Sequence, residues 1–218
     1  MKLSILNGSP RGEKSNSKRM SEWILSFASQ YQNLTISEHM LYKSARHPAF
    51  IQEIGDADCY LMVFPLYVDS MPSIVKSLME LMSEKAEYFY GKPIYFIIHS
   101  GFPEVIQSEL LRKYTAYFTT KVMKMTYKGT VIMAGSEAMQ VAPDGFFSKK
   151  IPLFHKLLDL IIRGEEFNPE LTMKLSRSYR LTPWQRLLFR LNPLKDFYWN
   201  FRLKKSGARH LAKAKPYL

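Results

Sequence analysis

Residues 3–17 read Leu3-Ser4-Ile5-Leu6-Asn7-Gly8-Ser9-Pro10-Arg11-Gly12-Glu13-Lys14-Ser15-Asn16-Ser17. The apolar run Leu3 to Leu6 reads as a short strand. It breaks at Asn7 into Gly, Ser, Pro and Asn, the residues of loops. Beyond it Met20, Trp23, Ile24, Phe27, Ala28 and Tyr31 recur at helical spacing, so an amphipathic helix begins near Ser17. A strand that turns through small hydroxyl residues into a helix N-terminus can cradle a phosphate. Backbone N–H groups and the helix dipole face the anion, and hydroxyls add donors. The competing reading of these residues is an ordinary polar turn.

Outward from this stretch, strands and helices alternate. Leu34–Met40 is a moderate strand, and residues 42–57 are irregular with a short helix after Pro48. Cys59–Phe64 is a continuous apolar run, as in a strand buried on both faces. After the loop Pro65–Met71, Pro72 opens a helix with Ile74, Leu78 and Leu81 on one face. Ile94–Ile98 is another buried strand, followed by the loop His99-Ser100-Gly101-Phe102-Pro103. A helix over 104–121, a strand over Gly129–Ala134 and a helix over Ile151–Ile162 complete the pattern. Such alternation predicts a parallel sheet covered on both faces. Ligands in these sheets bind beyond the carboxyl ends of the strands, near the topological switch point. The loops 7–17, 65–71 and 99–103 leave three such ends and are expected to converge.

Composition bounds the class. The 218 residues fit one sizeable domain plus an appendage, and 46% hydrophobic content supports a packed core. The lone cysteine, Cys59, excludes a disulfide framework and fits a reducing cytoplasm. The N-terminus has no charged segment followed by a long apolar one, so no signal peptide is expected. The longest strongly apolar stretch, Cys59–Val68, is too short to span a bilayer. The net charge of +12 is unevenly placed. Residues 1–171 carry 19 Lys/Arg against 18 Asp/Glu, and residues 172–218 carry 12 against one, Asp196. A nearly neutral body, residues 1–171, is therefore followed by a basic extension, residues 172–218.

Three nucleotide signatures can be tested against the first loop. The dinucleotide pattern GxGxxG is absent. The run Gly8 to Ser15 approaches GxxxxGK[ST], but three residues separate its glycines and Glu13 separates Gly12 from Lys14. The third strand ends in Pro65, with no carboxylate to hold magnesium. A single terminal phosphate suits this hydroxyl-rich loop better than a triphosphate. Asn7-Gly8-Ser9-Pro10-Arg11 followed by Ser15-Asn16-Ser17 resembles the flavin mononucleotide phosphate loop of the flavodoxin-like NAD(P)H-dependent FMN reductases and quinone reductases. Phe64-Pro65-Leu66-Tyr67-Val68-Asp69-Ser70-Met71-Pro72, then Lys76, resembles that family's second flavin loop, and His99-Ser100-Gly101 sits where its third meets the flavin.

The resemblance covers about residues 1–165. It implies an α/β, flavodoxin-like doubly wound five-stranded parallel sheet of order 2-1-3-4-5, here with a C-terminal helical extension. It implies FMN as cofactor and NAD(P)H as electron donor. Ser9, Arg11, Ser15, Asn16 and Ser17 would hold the phosphate. Pro65, Leu66, Tyr67, Val68 and Asp69, with His99, Ser100, Gly101 and Phe102, would contact the ring system. Residues 41–58 contain no cysteine, so the iron–sulfur centre of some relatives is unsupported. His39 and His47 show no metal-ligand spacing, and no metal is expected. His155, on an apolar helix face, reads as a satisfied core residue, and Cys59 as a small buried hydrophobe. No catalytic residue is assigned, because the flavin carries the hydride chemistry and the protein orients it.

The extension has its own grammar. Thr182-Pro183-Trp184-Gln185 is a capping box with Pro at the first helical position, and Trp184, Leu187, Leu188 and Leu191 form one face. Asn192-Pro193 ends that helix, and Leu194, Phe197, Tyr198 and Phe201 line a second. The apolar stripes can pack on the body or a second subunit, lie on a membrane surface, or dock an acidic protein partner. Nucleic acid is disfavoured, because no recognised binding motif accompanies the charge. The functional expectation is a cytoplasmic FMN-dependent oxidoreductase, homodimeric, in one reading peripheral at the membrane. It would pass electrons from NAD(P)H to a quinone, flavin or other small-molecule acceptor. The alternative is a flavin-binding electron carrier or redox-responsive adaptor without its own NAD(P)H turnover.

Overall fold

A computed structural model describes residues 1–44, 48–176 and 179–191, together with 200, 201, 203, 204, 206 and 207. Five parallel strands, β1 (Lys2–Asn7), β2 (Thr35–Met40), β3 (Cys59–Pro65), β4 (Pro93–His99) and β5 (Thr126–Met133), form one sheet in the order β2-β1-β3-β4-β5. The order and the α/β class are those expected. The chain separates into two compact units, Met1–Arg180 and Leu181–Leu218.

The pleat explains why the strands read as unbroken apolar runs. Leu3, Ile5, Leu61, Val63, Tyr95, Ile97, Val131 and Met133 enter one core, while Leu6, Tyr60, Met62, Phe64, Ile94, Phe96, Ile98 and Ile132 enter the other. The first core is closed by α1 (Asn16–Ala28), α7 (Ile151–Ile162) and α8 (Pro169–Leu175), through Trp23, Ile24, Phe154, Leu158, Leu171 and Leu175 among others. The second is closed by α3 (Pro48–Gly55), α4 (Ser73–Glu84) and α6 (Glu109–Tyr117), with the short α2 (Leu41–Ser44) and α5 (Ala86–Phe89) beside them.

Four local readings change. The face α4 buries is Val75, Leu78, Met79 and Met82, with Ile74 and Leu81 at its flanks. The helix expected over 104–121 is a 3₁₀ turn at Val105–Ser108, then α6, then a π-turn at Phe118–Val122 closed by Met123 N–H on the Phe118 carbonyl at 2.9 Å. β5 starts three residues earlier than its apolar run, because Thr126 and Tyr127 pair with Pro93 and Ile94 across a bulge. His155 is stacked on Phe27 with ring centroids 4.3 Å apart, but its Nε2 has no hydrogen-bond partner, so it is not satisfied as expected.

The body also runs past residue 171. The boundary expected there cuts α8, whose Leu171 and Leu175 are buried. Thr172 Oγ1 accepts from Ile132 N–H at 3.3 Å, and Ser176 Oγ accepts from Ala134 N–H at 3.1 Å while donating to the Ile132 carbonyl at 2.6 Å. Side-chain hydroxyls thus do for the outer edge of β5 what another strand would do. In the second unit α9 (Pro183–Leu191) begins with the expected reciprocal cap: Thr182 N–H to Gln185 Oε1 at 2.9 Å, and Gln185 N–H to Thr182 Oγ1 at 3.2 Å. Most of the second tail helix, Leu194 to Tyr198, lies outside the described residues, as does His47. No helix among the described residues is long and apolar enough to cross a membrane.

Candidate functional site

Strand register sets the site. Asn7 lies level with Val63, Pro65 with His99, and His99 with Met133, so the chain leaves β1, β3, β4 and β5 side by side at one end of the sheet. The first loop is built from its own polar atoms. The buried Asn7 accepts from Ser9 N–H through Oδ1 at 3.2 Å, Ser9 Oγ accepts from Arg11 N–H at 3.3 Å, and the Ser9 carbonyl accepts from Gly12 N–H at 3.1 Å. Ser15 Oγ caps α1 by accepting from Lys18 N–H at 3.1 Å. The amides of Asn16 and Ser17 open that helix and have no intrahelical acceptor.

The second loop contains a two-residue hairpin turn. Tyr67 and Ser70 exchange both backbone hydrogen bonds, at 2.8 and 2.9 Å, and Val68 and Asp69 between them have φ of 46° and 60°. Two positive φ values define a type I′ turn, which normally calls for Asn or Gly. A β-branched valine there stores strain of order 1–3 kcal/mol, a feature that clusters at ligand sites.

His99 ties the ends together. Its ring is buried, with Nε2 2.8 Å from Ser17 Oγ and Nδ1 3.1 Å from Ser136 Oγ. Ser136 Oγ also lies 2.9 Å from the Ser100 carbonyl, which can only accept. The Ser136 proton therefore points to that carbonyl, and Nδ1–H donates to Ser136. Nε2 is left to accept from Ser17. Burial pushes the imidazole down to about 3, so it is neutral at physiological pH. Its folded value lies below the ordinary 6.5, so stability is complete above pH 6.5 and falls as pH drops towards 3. Between pH 7.5 and 5 this single group should cost about 2 kcal/mol. His99→Gln, which can keep one donor and one acceptor, should remove that part of the acid slope. Urea unfolding at the two pH values reads the difference; equal slopes for wild type and variant would refute the assignment.

Ser9, Arg11, Asn16, Pro65, Leu66, Tyr67, His99, Ser100 and Gly101 line one cleft. Five expected residues do not. Ser15 caps α1, Ser17 faces His99, and Val68 stands 98% exposed at the turn tip. Asp69 turns to a neighbouring hollow with Lys76 and Tyr114, and Phe102 is exposed while its carbonyl accepts from Gly135 N–H at 2.6 Å. The cleft also includes Ser136, Glu137 and Gln140, which sequence reasoning missed. The signal was the small-residue break Ala134-Gly135-Ser136 after a strand ending at the same edge. This segment is fastened to α1: Asn16 Nδ2 donates to the Ser136 carbonyl at 2.8 Å, and Arg19 reaches the Met139 carbonyl at 2.5 Å and Asp144 at 2.7 Å. The Arg19 guanidinium and the Trp23 indole hold the Asp144 carboxyl below its usual range.

Chemically, the cleft offers Arg11, whose guanidinium has no partner among the described residues, and Asn16, the first residue of α1, whose amide has no intrahelical acceptor. These suit a small anion. Pro65, Leu66 and the 41% exposed Tyr67 form an apolar wall. A larger cavity of about 320 Å³ lies beside β5, but none of the loop residues lines it and its cation, Arg112, is already held by Glu109 at 2.6 and 3.0 Å.

Known proteins resemble this chain in family and in fold. Residues 1–135 match the family of NADPH-dependent FMN reductases. No curated protein matches. Among solved structures, an FMN-dependent NADH-azoreductase from Bacillus anthracis in complex with FMN superposes with a TM-score of 0.54 at 17% identity, covering 75% of this chain and 99% of that one. An NAD(P)H:quinone oxidoreductase from Methanothermobacter marburgensis gives 0.54 at 17%, covering 74% and 96%. The flavoenzyme NAD(P)H:(acceptor) oxidoreductase FerB from Paracoccus denitrificans gives 0.54 at 20%, covering 74% and 95%. At these identities the structures speak for the fold. The family match spans more than half of the sequence and falls on the sheet and three of the four loops that build the cleft, and by it this chain belongs to the NADPH-dependent FMN reductase family.

Proposed function

We propose that the cleft is the FMN site of an NAD(P)H-dependent oxidoreductase that reduces a quinone, a flavin or another small acceptor. When bound, FMN supplies the hydride and electron-transfer chemistry, and the chain supplies binding, orientation and electrostatics. The observation that carries the reading is Arg11, whose guanidinium has no partner among the described residues, in one cleft with Asn16 at the start of α1, at a loop with no lysine in P-loop register. That donor set fits one terminal phosphate.

Each group has a separate part. Arg11, Ser9 and the Asn16 amide at the start of α1 hold the phosphate. The hydroxyls of Ser15 and Ser17 serve the scaffold rather than the ligand, which revises their expected roles. Tyr67, with Pro65 and Leu66, packs against the ring, and Ser100 and Gly101 border it. His99 has both nitrogens committed to serines, so it gives no proton to the ligand and adds no charge beneath it. The electron-carrier alternative differs in lacking NAD(P)H turnover, and the family membership favours turnover.

Equilibrium titration tests the site. FMN should bind about 100-fold tighter than riboflavin, because two hydrogen bonds to a charged group contribute roughly 1.5 kcal/mol each. Arg11→Ala should narrow that gap while leaving riboflavin affinity unchanged. Equal affinity of the wild-type protein for the two flavins would reject the phosphate assignment. Steady-state oxidation of NADH and NADPH by the FMN-loaded protein decides between reductase and carrier.

A further inference from the structure

The second unit has a feature that the flavin site does not use. On α9, Trp184, Leu187 and Leu188 lie on one face and are 66%, 42% and 51% exposed, while Arg186 and Arg190 lie off that face. The reciprocal Thr182–Gln185 cap sets the helix start, so the stripe is presented by a designed element rather than by a frayed end. A nine-residue helix is marginal in water by itself and gains stability when its apolar face is covered. In sequence, residues 181–218 hold nine Lys/Arg against a single acid, Asp196.

Two demands must be met by one occupant: cover for an aromatic and leucine stripe, and negative charge for its surroundings. A second copy of the unit meets the first and opposes the second, since it sets the same cations against themselves. An acidic protein meets the charge and must in addition present an apolar patch shaped to a short, isolated helix. An anionic lipid surface meets both, with the stripe at the acyl boundary, Trp184 at headgroup level and the cations among the phosphates. We infer that α9 and the basic sequence that follows it form an interfacial anchor that lays this protein on anionic membrane surfaces. The inference stands independently of the flavin assignment.

Full-length protein is sedimented with vesicles of phosphatidylcholine alone and with vesicles that also contain phosphatidylglycerol. Binding to the anionic vesicles should be at least tenfold tighter. It should collapse between about 0.1 M and about 1 M salt, where the screening length falls from about 10 Å to about 3 Å. The double variant Leu187→Ser, Leu188→Ser keeps every charge and should bind at least tenfold more weakly, with the melting temperature of the first unit unchanged. Three results overturn the anchor: no preference for anionic vesicles, unchanged binding of the double variant (attraction by charge alone), or salt-independent self-association that the double variant abolishes (cover by a second copy).

Discussion

A chain ended after residue 171 is expected to melt about 10–20 °C below the 218-residue chain, whereas one ended after residue 180 is expected to melt within a few degrees of it. The difference lies in α8. The shorter chain loses Leu175, which is fully buried, at roughly 2 kcal/mol. It also loses Thr172 and Ser176, and with them three hydrogen bonds to the Ile132 and Ala134 amides and the Ile132 carbonyl, at about 1 kcal/mol each. A total near 5 kcal/mol equals the whole stability of a weaker domain and lowers melting by about 10–20 °C. The bared edge of β5 would then recruit other chains, so aggregation should accompany the loss. Thermal unfolding of the two truncations is the measurement. Equal melting temperatures would mean that α8 is dispensable to the sheet.

Gly8→Ala should be nearly as damaging from a single methyl group. A Cβ at this position would stand 2.2 Å from Val75 Cγ2 and 2.9 Å from Phe64 Cβ, and both neighbours are fully buried. Neither can step aside: one is β-branched, and the other atom belongs to the stem of a core side chain on β3. Overpacking here costs about 3 kcal/mol and about 10 °C of melting. The strain relaxes by moving the first loop, which carries Ser9, Arg11 and the opening of α1. FMN affinity should therefore fall roughly tenfold or more, the equivalent of one charged hydrogen bond. Gly145→Ala is the control, since a Cβ there would meet nothing within 4 Å and the residue lies outside the cleft. A Gly8→Ala protein with wild-type melting and FMN affinity would show that the loop tolerates displacement.

Most of the fold was legible because a sheet buried on both faces writes its strands as apolar runs, and Cys59–Pro65 and Pro93–His99 are unmistakable. The site was legible as loops and less so as atoms. Ser17 stands at a helix start, and only the fold reveals that His99, far along the chain, takes its hydroxyl. The turn at Val68 and Asp69 was hidden because its residue types argue against the conformation they adopt. The body's end was misplaced by charge. Lys174, Arg177 and Arg180 make residues after 171 look like tail, while Leu175 and Ser176 between them are inside the core.

The hydrogen bonds through His99 all run in one sense, from Ser17 through the imidazole to Ser136 and on to the Ser100 carbonyl. A terminal carbonyl cannot give a proton back, so no bond in the series can reverse alone. The segments following β1, β4 and β5 are consequently latched to one another, and freeing any of them breaks the whole series. The Tyr67–Ser70 hairpin has no share in that latch: its tip is in solvent and its bonds are internal. Three of the four loops that line the cleft are thus held in place before any ligand arrives, which lowers the ordering cost of binding.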